Sequence, residues 1–311
     1  AIIDTSSEDS PFKPTTKRKE IAGVGKKTLV SLEVNKQLAR SNSRSFIFMT
    51  DTLKIFEEND NKSLFFRVLI ELRLFARHFL FVIDTKSSGF IRLNFALPIY
   101  TRSRRMMFDA RRPMVIDNED LEHLCEELSD ISSVLTQLVP GLSIGFKEIS
   151  QTLDKDGEAA TVTMLTAYRD GKELPLRDES DGVRKIISVL SLIIAVFNEQ
   201  SVTVAIDEFD AGIFEYLLGE ILQSMEESGK GQFIFTSHNL RPLEVINKKF
   251  LYFTTTNPQN RYIRLKNISA TNNLRDTYFR EIILCEQEEE IYNKTKKFKI
   301  IAALKKAGGL R

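Results

Sequence analysis

The sequence has 311 residues, with 44 basic and 43 acidic side chains and a net charge of +1 at pH 7. This balance excludes a chain-wide electrostatic surface for nucleic acid, so any basic site must be local. A content of 42% hydrophobic and 28% charged residues is that of a globular protein able to bury a core.

Neither a membrane span nor a disulfide framework is predicted. The longest apolar run, residues 186–197, has about 12 residues, and crossing a bilayer takes roughly 20. Cys125 and Cys285 are far apart and lack metal-ligand spacing, so two reduced thiols are expected. With a polar N-terminus in place of a signal peptide, these features predict a cytoplasmic location.

The first third of the chain predicts strands and one long helix. Residues 1–20 are a polar lead-in, and residues 28–34 alternate between apolar and polar side chains, which predicts a strand. Residues 45–49 (SFIFM) predict another strand. In residues 64–83 the charges recur at spacings near four, which indicates an amphipathic helix that runs into a strand near residues 79–83.

Residues 100–113 hold five arginines among aromatic and methionine side chains, namely Arg102, Arg104, Arg105, Arg111 and Arg112. Such a cluster can contact the phosphates of nucleic acid, DNA included. Two alternatives are a solvated loop and arginines paired with the acidic helix that follows. That helix is expected from Asp117 or Asn118 to about Val139.

After this helix, the sequence first predicts a group of strands and then an alternation of helices and strands. Residues 143–149 and 161–168 predict a small antiparallel meander, with a hairpin turn at Asp170-Gly171. From residue 183 onward the order is helix, strand, helix, strand, helix, strand, which predicts a parallel sheet. The expected elements are helices 183–197, 213–227 and 241–247, strands 202–206, 232–235, 250–254 and 262–265, and a helical tail from residue 274.

Polar residues follow two of these apolar strands directly. Asp207 and Glu208 end one strand, and Thr236-Ser237-His238 ends the other, so both clusters are expected at the same edge of the sheet. Hydrolysis of a phosphoanhydride needs a held metal ion and an oriented water. Asp207 would hold Mg²⁺ and Glu208 would polarise the water. A helix N-cap with a first-turn acid is the alternative interpretation of the pair.

A third cluster precedes the helix of residues 183–197. Ser180 supplies a hydroxyl, and Gly182 lets backbone N–H groups approach an anion at the positive end of the helix dipole. The alternative is an N-cap with glycine in the turn, and both interpretations can hold together.

These three motifs resemble those of ABC-type ATPase heads. ESDGVRK, VTVAIDEFDAG and FIFTSH are similar to the signature, Walker B and switch-histidine motifs of the SMC/RecF-like group, in particular the stand-alone, OLD-like prokaryotic AAA family ATPases. The resemblance implies ATP and Mg²⁺ as cofactors, with Asp207 as the magnesium ligand, Glu208 as the catalytic base and His238 as the switch histidine. It also implies a homodimer in which Ser180 and Gly182 contact the γ-phosphate bound to the opposing subunit.

The resemblance implies an α/β fold, a P-loop NTPase head of ABC type. A mixed or parallel sheet with flanking helices is expected, with a small antiparallel meander and a helical insertion. The expected domains are residues 1–113 (N-terminal part of the head), 114–141 (helical segment), 142–273 (C-terminal lobe with the three motifs) and 274–311 (helical tail).

The sequence departs from the family pattern in its nucleotide cradle and in two motif positions. Asp181 replaces the first glycine of the signature, and Phe214 replaces an aspartate after Walker B. The single Walker A candidate, residues 20–28, offers Lys26, but Lys27 stands where a magnesium-binding Ser or Thr is usual. We therefore expect either that the working P-loop lies upstream of this sequence or that the loop is degenerate.

The sequence favours an ATPase head that dimerises on ATP and drives a partner or DNA transaction, in prokaryotic antiphage defence, with the effector on a separate protein. One alternative is a non-catalytic ABC-like scaffold or sensor that keeps the motifs without turnover. A RecF-like DNA-repair ATPase is another, and a nucleic-acid-binding module using the arginines of residues 100–113 is a further one.

Overall fold

The structure is a computed structural model that describes residues 25–59, 64–83, 96–100, 105–109, 111–265, 274–284, 289–292 and 295–308. The chain divides into two compact units. The first comprises Ala1–Val82 and Ser201–Ala205, and the second comprises Ile83–Gln200 and Ile206–Arg311.

The first unit is mainly helical in its described part. Its helices are α1 (Lys26–Ser41), α2 (Thr50–Glu57) and α3 (Leu64–His78), with a 3-10 turn at Phe46–Phe48. Phe46, Phe56 and Phe66 are fully buried and form its centre, with the Phe56 and Phe66 rings 5.4 Å apart.

The predictions of two strands in this unit are wrong. Residues 28–34 lie within α1, because the buried positions Leu32, Asn35, Lys36 and Ala39 recur every three or four residues rather than every two. Residues 45–49 include the 3-10 turn in place of a strand. The predicted helix that runs into a strand is confirmed, since α3 is followed by β1 (Leu80–Ile83).

A three-stranded sheet has the order β1–β8–β9, where β8 is Thr203–Ile206 and β9 is Gln232–Phe235. The N–H of Thr203 donates to the Phe79 carbonyl and that of Asp207 to the Ile83 carbonyl, so both strands advance four residues together and run parallel. The predicted third strand is not part of this sheet. Instead, β10 (Phe253–Thr254) pairs with β11 (Tyr262–Ile263) in an antiparallel ribbon.

The predicted antiparallel meander is confirmed and is larger than expected. It consists of β4 (Met114–Asp117), β5 (Leu142–Leu153), β6 (Ala159–Arg169) and β7 (Lys172–Pro175), with the order β4–β6–β5 and β7 beside β6. Asp170 and Gly171 both have positive φ and form the turn between β6 and β7. Helix α4 (Asn118–Leu138) packs on β5.

The arginine-rich segment is partly a hairpin rather than a loop. Strand β2 (Ala96–Tyr100) pairs antiparallel with β3 (Arg105–Asp109). Arg102 and Arg104 lie outside the described residues. The sequence pattern missed these strands because Pro98 within β2 argues against a strand and the five residues of β3 show no apolar–polar alternation.

The remaining described helices are α5 (Asp181–Asn198), α6 (Glu215–Ser228), α7 (Pro242–Val245), α8 (Leu274–Leu284) and α9 (Lys297–Ala307). Helix α5 is buried on most faces, as its apolar sequence predicts. Across the part of the chain that the structure describes, no helix is long and apolar enough to cross a membrane.

Candidate active site

Asp207 and Glu208 follow β8 and stand at the carboxyl end of the parallel sheet. The N–H of Asp207 donates to the Ile83 carbonyl at 2.8 Å, which extends the ladder to that residue. Glu208 then turns the chain sharply, with a φ of 50°. A non-glycine residue in this left-handed region is strained, so surrounding contacts must hold it there.

Thr236 joins the two carboxylate residues. It is the first residue after β9, and its hydroxyl donates to Oδ1 of Asp207 while accepting the N–H of Glu208 at 2.8 Å. One side chain thus orients the Asp207 carboxylate and fixes the strained backbone of Glu208. The sequence placed Thr236 in the cluster but assigned it no role.

His238 faces Glu208 across the edge of the sheet. Its Nε2 lies 3.8 Å from Oε1 of Glu208, with 86% of the histidine side chain and 40% of the glutamate side chain exposed. The carboxylate of Asp210 accepts the N–H of His238 at 3.2 Å and that of Asn239 at 3.0 Å. The predicted proximity of the two clusters is therefore observed, and Asp210 fixes the loop that carries the histidine.

Lys185 is the most deeply buried charged group of this region, at 2% exposure. Its Nζ donates to the carbonyls of Glu208 and Phe209 at 2.8 Å each and of Ala211 at 2.7 Å. Burial lowers the pKa of Lys185 to about 8, and the nearby charges of Asp210 and Glu208 act in the opposite direction. Lys185 therefore holds the loop after β8 onto helix α5.

Ser180 and Gly182 stand at the start of α5, in contact with the same loop. The Ser180 hydroxyl accepts the N–H of Val183 at 3.3 Å and so caps the helix, as one sequence interpretation predicts. A Cβ on Gly182 would approach the carbonyl oxygen of Gly212 closer than 3.0 Å, and Gly212 itself has a φ of +78°. Two glycines thus allow the helix and the loop to touch.

The other predicted residues lie elsewhere. Lys26 is the first residue of α1, in the first compact unit, and the residues before Gly25 lie outside the described part of the chain. Arg111 is bound by both carboxylate oxygens of Asp109. This hydrogen bonding holds the pKa of Asp109 below its usual range. Arg111 is therefore paired with Asp109 inside its own segment, whereas Arg112 is exposed.

The chemistry of the cluster suits phosphate and a hard cation. Two adjacent carboxylates offer the oxygen ligands that Mg²⁺ prefers, and Mg²⁺ usually takes only one or two from the protein, with water and phosphate oxygens as the rest. Within the described residues, no group of three or more His, Cys, Asp or Glu side chains is placed to hold a metal on its own.

Residues 67–244 match the family described as "AAA domain, putative AbiEii toxin, Type IV TA system". The match covers more than half of the chain. The chain belongs to this AAA family. The matched region of this AAA chain includes Ser180, Gly182, Asp207, Glu208 and His238, so the predicted resemblance to AAA family ATPases is confirmed. The predicted α/β class is also confirmed, since the described elements combine helices with parallel and antiparallel sheets.

Among solved structures, the AAA chain is similar to the one described as "Crystal structure of the SmcHead bound to the C-winged helix domain of ScpA". The identity is 17% and the TM-score 0.30, over 40% of this chain and 36% of that chain. This chain thus spans about a third of the length of that protein. No curated protein matches the sequence.

Proposed function

We propose that this chain is an ATP-binding and ATP-hydrolysing head that dimerises when ATP is bound and drives a partner protein or a DNA transaction. The observation that supports it most is the approach of His238 to Glu208 beside Asp207, at the ends of neighbouring strands. Membership of the AAA family implies that the bound ligand is a nucleotide.

In this proposal the two carboxylates divide the chemistry. Asp207, oriented by the Thr236 hydroxyl, holds Mg²⁺ through water, and the ion neutralises phosphate charge when it is bound. Glu208 has an exposed carboxylate that can accept a proton from the attacking water. His238 is within reach of the same water and of a terminal phosphate.

The dimer would complete the site. Ser180 and Gly182 present the N-terminus of α5, whose backbone N–H groups favour a phosphate held by a second copy of the chain. Phe214 replaces the aspartate that such heads use across the dimer, and its ring is 73% exposed beside the catalytic loop. At this position of the dimer interface, the Phe214 ring would make an apolar contact in place of the polar contact of the aspartate.

Lys26, the candidate Walker A lysine, begins α1 directly after Gly25 in the first compact unit. A lysine at the start of a helix after a glycine-rich loop is the usual position for a P-loop lysine. The helix, in place of the strand expected at residues 28–34, favours a phosphate-binding role for Lys26.

The cellular role that we propose is prokaryotic antiphage defence with a separate effector protein; the family description names a "putative AbiEii toxin, Type IV TA system". DNA repair by a RecF-like head is the alternative. Of the two arginines whose side chains are described in this segment, Arg112 is the more available for a contact with DNA, because Arg111 is bound by Asp109.

The proposal is tested by phosphate release from Mg²⁺-ATP. The native chain should hydrolyse ATP, and Glu208→Gln should lower turnover at least a hundredfold while ATP binding persists. Glu220→Gln changes an exposed glutamate on α6 and should leave turnover unchanged. Equal turnover in the Glu208→Gln protein would remove Glu208 from its role. Absence of release by the native chain would favour the non-catalytic scaffold.

A further inference from the structure

The ribbon of β10 and β11 has an inner and an outer face. Phe253 pairs with Ile263, and Thr254 pairs with Tyr262. Phe253 is 8% exposed and stacks on Tyr278 with ring centroids 5.4 Å apart, which defines the inner face. Because side chains alternate along a strand, Thr254 and Tyr262 lie on the outer face.

The outer face presents exposed aromatic rings. Tyr262 is 68% exposed, Tyr252 is 59% exposed and Phe250, just before the ribbon, is 58% exposed. The guanidinium of Arg264 donates to the Tyr252 hydroxyl at 2.6 Å and lies 4.6 Å from the centre of that ring, so Arg264 shares this face. The ammonium of Lys249 lies 4.6 Å from the Phe250 ring.

The charged residues of the ribbon's own segment have one sign. Residues 248–265 include lysines and arginines but no aspartate or glutamate. Acidic residues do approach the connecting turn, where Glu289 accepts hydrogen bonds from the side chains of Asn257 and Asn260, and Glu290 follows it. These contacts lie at the turn, whereas Tyr252 and Arg264 lie at the other end of the ribbon.

We propose that this aromatic and basic ribbon face binds single-stranded nucleic acid. Aromatic rings stack on bases, and neighbouring cations contact the phosphates, which together form the usual surface for unpaired strands. Continuing the ribbon's register makes Tyr252 and Tyr262 diagonal neighbours on adjacent strands, about 7–8 Å apart, so each ring can take a base. A duplex keeps its base faces stacked inside, and it cannot use the rings in this way. The site is distinct from the arginine-rich segment and does not depend on ATP hydrolysis.

The test is fluorescence anisotropy of a labelled oligothymidylate titrated with the 311-residue chain over a salt series. The native chain should bind it, and binding should weaken as salt increases. The double variant Tyr252→Ala/Tyr262→Ala should bind at least tenfold more weakly at every salt concentration, because stacking is lost. Arg264→Ala should lower the slope of log affinity against log salt by about one.

Tyr216→Ala is the matched control, since this ring on α6 is also 59% exposed but lies outside the ribbon. All variants should keep the native melting temperature, because the altered side chains are exposed. Three results would overturn the proposal: no binding of the oligothymidylate at low salt, equal affinity of the double variant, or equally tight binding of a blunt duplex. Binding to anionic lipid vesicles without binding to the oligothymidylate would also overturn it.

Discussion

At the residue scale, Thr236 is the side chain that orders the two carboxylates. Its single hydroxyl donates to Asp207 and accepts from the backbone of Glu208. Removing the hydroxyl takes one supporting hydrogen bond from the left-handed backbone of Glu208 and another from the carboxylate of Asp207.

We expect Thr236→Val, which keeps the shape of the side chain, to lower ATP turnover by about ten- to a hundredfold. Two hydrogen bonds are lost, so the free energy of unfolding should fall by about 1–2 kcal/mol. Thr236→Ser keeps the hydroxyl and should keep most of the turnover. Steady-state phosphate release and urea denaturation measure these effects, and a valine variant with native turnover would show that Thr236 does not position the site.

Some residues of the site could be predicted from the sequence and others could not. Asp207, Glu208 and His238 stand out because each follows an apolar strand directly, and parallel strands end at one edge. The sequence could not predict that Lys185 donates hydrogen bonds to the loop, because its acceptors are backbone carbonyls of residues that are 23 to 26 positions away. The usable signal was a cation inside an otherwise buried helix, which requires a partner.

At the element scale, Lys185 couples helix α5 to the loop that follows β8. We expect Lys185→Met to lower the free energy of unfolding by about 2–4 kcal/mol, because three buried carbonyls lose their donor. The variant should also hydrolyse ATP more slowly, since the same loop carries Glu208. Lys172→Met, at an exposed hairpin position, is the control for urea denaturation. A stability loss no larger than that of the control would contradict this coupling.

The pKa of Lys185 predicts a pH dependence of stability. Burial lowers this pKa from 10.5 to about 8, so between these values the unfolded chain binds more protons than the folded chain. The contribution of Lys185 to the free energy of unfolding therefore rises with pH across this window, by about 1–2 kcal/mol between pH 8 and 9.5. Lys185→Met should lack this rise, which paired denaturation curves at the two pH values will show. Parallel pH profiles for the two proteins would contradict it.

The contact between α5 and the loop also depends on Gly182. We expect Gly182→Ala to lower the free energy of unfolding by about 1–3 kcal/mol, because its Cβ would overlap the Gly212 carbonyl. Gly25→Ala is the comparison, since a Cβ there meets no described atom within 4 Å. Thermal melting distinguishes the two, and equal melting temperatures would show that the loop can move away from the helix.

The elements that the sequence failed to predict have two physical causes, an ambiguous period and a strand order that depends on tertiary packing. In residues 28–34, apolar and polar side chains alternate over only seven positions. A segment of this length is too short for its apolar period to distinguish a strand from one face of a helix. The parallel sheet gained β1 from an earlier part of the chain and did not include β10, because strand order depends on tertiary packing rather than on chain order. Long periodic helices such as α4 and α5 were predictable, since their apolar faces repeat over several turns.

At the scale of the whole molecule, the site is expected to be complete only in a dimer. The Glu208–His238 pair and Ser180 belong to the same compact unit, so each chain offers both a hydrolytic group and a helix N-terminus. Two copies facing each other would place the helix of one against the phosphates bound by the other. ATP would then join the two subunits, and its hydrolysis would let the dimer dissociate.

Sedimentation velocity of the Glu208→Gln protein in the presence of Mg²⁺ tests this claim most directly. The account predicts a monomer with ADP and a stable dimer with ATP, because the nucleotide is bound but not cleaved. Adding Ser180→Ala and Gly182→Ala to this variant should weaken the dimer without weakening ATP binding to the monomer. A Glu208→Gln protein that binds ATP and remains a monomer at every concentration would contradict the account.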